Sequence, residues 1–165
     1  MELLKRKIDE FLSEWKQNPD RLPLIVKGAR QVGKTASIRQ FGESNYTNVV
    51  EINFLLQKQY CDIFDDGFET DTIIRNITLH NPELEFIPGE TLIFFDELQA
   101  CINCATSLKS FKQDGRYDVI CSGSLMGINY NEIESNSVGY KAVSYTHLRA
   151  HEAGRNLVCR LLLEK

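Results

Sequence analysis

The chain has 165 residues, 42% hydrophobic and 25% charged, with a formal net charge of −4. That describes one globular domain with enough material for a real core, and the negative balance gives no electrostatic case for nucleic acid as the main partner. No apolar run approaches the ~20 residues of a bilayer-spanning helix, and "MELLKRKIDE" has charges where a signal peptide needs an apolar stretch, so the expectation is a cytoplasmic protein with no membrane partner.

Residues 2–17 carry Leu4, Ile8, Phe11, Leu12 and Trp15 at the 3–4 spacing of one helical face. "NPDRLP" then turns the chain with two prolines and an asparagine. "LPLIVKG" is a short apolar run ending at a glycine, as a buried parallel strand would.

Next comes Gly28-Ala29-Arg30-Gln31-Val32-Gly33-Lys34-Thr35, a full match to G-x-x-x-x-G-K-[ST] between a predicted strand and a predicted helix. Each fixed position has a physical purpose. The glycines let the backbone wrap an anion with no Cβ in the way, and the N–H groups and the helix start then face the phosphates. Lys34 would reach the β and γ phosphates, and the Thr35 hydroxyl would join a Mg²⁺ shell. The expected nucleotide-binding set is Gly28, Ala29, Arg30, Gln31, Val32, Gly33, Lys34, Thr35 and Ala36. The following helix should run from Lys34 to about Phe41, with Ile38 and Phe41 inward and Gly42 as its stop.

"NVVEINF" (48–54) reads as a second strand, rich in β-branched residues. Residues 57–80 look helical, broken near "DDG" at 65–67, with Ile73, Ile74 and Ile77 as a buried stripe. "TLIFFDE" (91–97) is the strongest buried-strand signal, and it ends in Asp96 and Glu97. A parallel strand that stops in two carboxylates delivers them to the sheet's carboxyl edge, where ligands bind. Asp96 would hold the Mg²⁺ shell and Glu97 would polarise an attacking water. The structural alternative is that both cap the next helix.

"CINC" (101–104) is one CxxC with no second pair at ligand spacing, since Cys121 and His80 do not supply it. Five cysteines at irregular spacing also argue against a disulfide framework, so a helix start with small residues is the expectation there. Residues 104–113 suit a helix bearing Leu108 and Phe111. "YDVICSGS" (117–124) reads as another strand, with Ser122 or Ser124 at its carboxyl end to contact a γ-phosphate or orient a water, or to form a turn. Strands alternating with helices predict an α/β fold, a parallel sheet covered on both faces.

Phosphate loop, Asp-Glu strand and polar strand end, in this order, resemble the AAA+ ATPases. The closer resemblance is to bacterial and archaeal ATP-binding proteins with an N-terminal AAA domain. It rests on "WKQNPDRLPLIVKGARQVGKT", "NVVEINF", "PGETLIFFDELQ", "SLKSF", "ICSGSLMG" and "SVGYKAV", about Leu12 to Ala142. It implies a three-layer P-loop NTPase fold with the phosphate-loop strand central, ATP with Mg²⁺ as ligand, and a site shared between subunits of a homo-oligomer. Arg30 and Gln99 fit the group's pattern without an assigned role, and Arg21 and Pro23 sit where base-side contacts are often made.

The motifs stop near residue 142, so the expectation is an ATP-binding core over 1–142, incomplete at its C-terminal end, without a lid or an arginine finger. "SYTHLRAHEAGRNLVCRLLLEK" carries four Arg and Lys against two Glu and resembles translated sequencing-adapter DNA. Residues 143–165 are therefore expected to be a non-native tail, the alternatives being a basic amphipathic helix or a metal site at His147 and His151. The expected function is ATP binding and Mg²⁺-dependent hydrolysis, binding-only in this chain, its client undefined. The alternative is a nucleotide-controlled switch with little turnover. A guanine-nucleotide switch is disfavoured, because no N-K-x-D follows the Asp-Glu strand.

Overall fold

Hydrophobic periodicity resolves into alternating strands and helices in the structure, a computed structural model that describes residues 7–29, 32–124 and 142–146. Helix α1 (Lys7–Gln17) turns Ile8, Phe11, Leu12 and Trp15 inward, the face its spacing predicts. Strand β1 (Leu24–Gly28) leads to α2 (Lys34–Asn45), and β2 (Asn48–Asn53) follows. The stretch expected to be a broken helix is a 3₁₀ segment (Lys58–Phe64) and then α3 (Thr70–His80), with Ile73 and Ile77 buried and Ile74 partly so. Strand β3 (Thr91–Asp96), a 3₁₀ turn (Leu98–Ala100), α4 (Asn103–Asp114), β4 (Asp118–Ser124) and β5 (Ala142–Thr146) complete the order. No described helix is long and apolar enough to cross a membrane.

All the strand pairings are parallel, in the order β2-β3-β4-β1-β5. Period-two alternation divides the side chains between two cores. Ile25, Val50, Ile52, Ile93, Phe95, Val119 and Cys121 pack with α3, α4 and the 3₁₀ segment. Leu24, Val26, Leu92, Phe94 and Ile120 pack with α1 and α2 on the other face. This is the expected three-layer α/β arrangement. It also explains why "LIFF" is apolar without interruption: a central parallel strand is buried on both sides.

Two expectations change. Gly42 does not stop α2; it lies inside the helix and is buried. A Cβ there would stand 2.9 Å from Val49 Cγ2 and 3.1 Å from Leu92 Cδ2, so the glycine lets the helix lie close on β2 and β3. The helix ends three residues later, where extended Tyr46 donates its N–H to the Gly42 carbonyl. The second change concerns the sheet edge. The line drawn after residue 142 falls within β5, whose Ala142–Thr146 pair with Leu24–Gly28, so β1 has strands on both sides. A parallel ladder is made of backbone groups and does not depend on the side chains that mark 143–165 as different. His147, His151 and Cys159 lie outside the described residues.

Gly42→Val should destabilise the fold by about 1–3 kcal/mol, the usual range for overpacking a core. Val49 is β-branched and cannot move its methyls aside freely. A urea midpoint equal to wild type would show that the helix–sheet distance is not set at this residue.

Candidate functional site

Parallel strands bring their carboxyl ends to one edge, and β1, β3 and β4 deliver Gly28, Asp96 and Ser124 there. Gly33 has φ 80° and ψ 20°, a left-handed conformation that glycine adopts without strain, and it sets the turn into α2. Arg30 and Gln31 lie outside the described residues. Around them Gly28 is buried, Val32, Gly33, Lys34 and Thr35 are half-buried, and Ala29 and Ala36 are exposed.

The Lys34 ammonium folds back onto the loop and donates to the carbonyls of Gly28 at 3.1 Å and Ala29 at 2.6 Å. Burial lowers its pKa from the ordinary lysine value, against the opposing pull of Glu97 and Asp96. That pull puts the lysine and both carboxylates in one electrostatic field.

Asp96 is 3% exposed, and its carboxylate accepts four hydrogen bonds. Thr35 Oγ1 donates to Oδ2 at 3.0 Å from the start of α2, and Asn53 Nδ2 donates to the same oxygen at 3.3 Å from the end of β2. The Glu97 N–H reaches Oδ1 at 3.0 Å, and the Ser122 hydroxyl donates to Oδ1 from β4. A carboxylate this buried needs such donors in place of the water it has lost. Thr35 and Asp96, a hydroxyl and a carboxylate in contact beside a phosphate-type loop, make an oxygen set suited to Mg²⁺.

Ser122, buried near the carboxyl end of β4, turns its hydroxyl to Asp96 and helps orient that carboxylate. Ser124 is also buried, and its backbone N–H donates to Gln99 Oε1 at 3.2 Å. The other end of that amide, Nε2, donates to Glu97 Oε2. Glu97 is half-exposed, with φ 57° and ψ 50°, the one non-glycine residue of positive φ among those described. A left-handed side-chain-bearing residue is strained, and such residues concentrate at functional sites.

Asn53 was not singled out from the sequence. The available signal was its position, since it ends β2 opposite Asp96 in register. Its Oδ1 also accepts the backbone N–H groups of Leu55 and Leu56, each at 3.0 Å, shaping the loop after the strand. Arg21 and Pro23 are the residues named above for base-side contacts. They sit at the amino edge, before β1, where Arg21 Nε donates to Asp118 Oδ1 at 2.8 Å. A small cavity there, about 120 Å³, has Trp15, Arg21, Pro23 and Tyr117 in its wall, across the sheet from the phosphate loop.

The "CINC" cysteines follow the 3₁₀ turn and open α4; burial raises both the Cys101 and Cys104 thiols. Among the described residues no three His, Cys, Asp or Glu side chains group as a metal would require.

The family described as "AAA domain" matches residues 20–152. A solved structure of C. elegans PCH-2 is similar, with 13% identity and a TM-score of 0.49, over 84% of this chain and 40% of that one. No curated protein matches.

Ser122→Ala should destabilise the fold by about 1.5–3 kcal/mol, the usual worth of a hydrogen bond to a charged group. Chemical denaturation checks it, and an unchanged midpoint would mean that Asp96 does not rely on this hydroxyl.

Proposed function

The chain belongs to the AAA domain family of nucleotide-binding, ATPase-like domains, and from that premise we propose that it binds ATP with Mg²⁺ at the carboxyl edge of the sheet and hydrolyses it once a lid and a neighbouring arginine complete the site. The observation that carries this reading is the contact of Thr35 Oγ1 with Asp96 Oδ2, next to Lys34 and its field from Glu97. Gly28 to Ala36 would wrap the phosphates, with Lys34 moving from the loop carbonyls to the β and γ oxygens. Thr35 and Asp96 would hold Mg²⁺, which when bound offsets phosphate charge and aligns the transferring group. Glu97 would take the proton of the attacking water. The water oxygen bonds to the γ-phosphorus while the bond to the bridging oxygen breaks, leaving ADP and phosphate.

Ser122 serves in this reading through Asp96, and Ser124 through Gln99. A site of this kind can draw an arginine from a neighbouring subunit, and we include a homo-oligomer in the proposal. Four free thiols among the described residues support a cytoplasmic location. A second reading, a nucleotide-controlled switch with little turnover, has one observation in its favour: the Glu97 carboxylate is already held by Gln99.

Lys34→Ala should remove most Mg·ATP affinity, since it deletes the mobile cation of the loop. Calorimetry giving equal affinity in variant and wild type would overturn the assignment of the loop.

Glu97→Gln should leave Mg·ATP affinity nearly intact and slow turnover by roughly 10²–10⁴-fold, the usual contribution of a general base. Phosphate-release kinetics decide between the two readings. Unchanged turnover in the variant would return Glu97 to a structural role.

A further inference from the structure

Gln99 carries one amide held at both ends. Its Nε2 donates to Glu97 Oε2, and its Oε1 accepts the Ser124 N–H at 3.2 Å. The two partners fix the orientation of the amide. A flipped carboxamide would set oxygen against carboxylate and NH₂ against N–H, losing both bonds. The left-handed turn at Glu97 accompanies a close contact between side chains only two positions apart.

The far partner matters as much. Ser124 is the last residue of β4 and stands in register with Gly28, the first glycine of the phosphate loop. The amide therefore joins the end of β3 to the strand end beside that loop.

We propose that Gln99 is the positioning residue for Glu97, setting the carboxylate's direction from the place of the β4 end and leaving Oε1 to take the water's proton. The proposal rests on the reading of Glu97 as proton acceptor. Glutamine is suited to the position because it offers a donor and an acceptor on one planar group. Asparagine is a methylene shorter, glutamate would oppose Glu97 with like charge, and methionine keeps the volume without either bond. A mispositioned reacting group can lower a rate by about 10²-fold while ground-state binding persists.

The test compares wild type, Gln99→Met, Glu97→Gln and the double variant, full chain in each case, for Mg·ATP affinity by calorimetry and for kcat and KM. Gln99→Met should keep affinity and KM within about twofold and lower kcat by roughly 10- to 100-fold. In the Glu97→Gln background it should lower kcat no further, because it acts through the residue already changed. Wild-type kcat in Gln99→Met, with kcat lost in Glu97→Gln, would overturn the positioning role and leave Glu97 as the base. Wild-type kcat in Glu97→Gln would overturn the proton-acceptor reading itself. The clamp has its own readout in the Gln99 side-chain amide resonance by ¹⁵N–¹H NMR. It should shift and exchange faster in Glu97→Ala, and an unmoved resonance would overturn the contact on which the proposal stands.

Discussion

A buried carboxylate has to be surrounded by donors, and in this fold that requirement falls on Asp96. Its partners come from the phosphate-loop helix, from the end of β2, from β4 and from its own following peptide. Four pieces of chain are thereby held around one charge. Withdrawing any one donor leaves the carboxylate less well satisfied in a place water does not easily reach. The position of Thr35, and so the angle at which the loop opens, is thus linked to strands far away in sequence.

The opposite edge of the sheet uses the same device for a different end. Asp118, the first residue of β4, accepts Arg21 Nε at 2.8 Å and the Tyr46 hydroxyl at 2.6 Å, with Lys16 Nζ at 3.7 Å. Trp15 Nε1 donates to the Leu22 carbonyl at 2.8 Å close by. These contacts tie α1, the entry to β1 and the end of α2 to the amino end of β4. They gather no second carboxylate and no glycine-rich loop, and the arrangement reads as structural. The two ends of β4 thus carry different work, because parallel strands present all their starts to one side and all their ends to the other.

Strain and close packing are placed according to the same division. Glu97 holds a left-handed backbone at the carboxyl edge, where a side chain has to be presented at a set angle. Gly42 lies in the last turn of its helix, where the need is close approach to Val49 and Leu92. The first is tolerable because the neighbouring residues are held, Leu98 in the core and Gln99 by its amide. The second follows from layer spacing, since the helix over β2 and β3 comes nearer than a side chain at that position would permit.

Much of this was readable along the chain. Periodicity located α1, β1 to β4 and α4 to within a few residues, because one-sided and two-sided burial impose different spacings of apolar residues. Glycines and a lysine at set intervals marked the phosphate loop, and Asp96 with Glu97 ended an unbroken apolar run, all signals carried within a few consecutive residues. Gly42 was misread as a helix stop because local chemistry allows a glycine either purpose. Only the layer against it chooses. Asn53, Ser122 and Gln99 could not be assigned their partners from sequence, since Asn53 meets Asp96 only once β2 lies beside β3, and Ser122 only once β4 lies on the other side. The sequence by itself determined which segments are strands and helices and which residues carry charge to their ends. Strand order decided which of those residues meet, because a hydrogen bond needs atoms within about 3 Å and that proximity is a property of the assembled sheet.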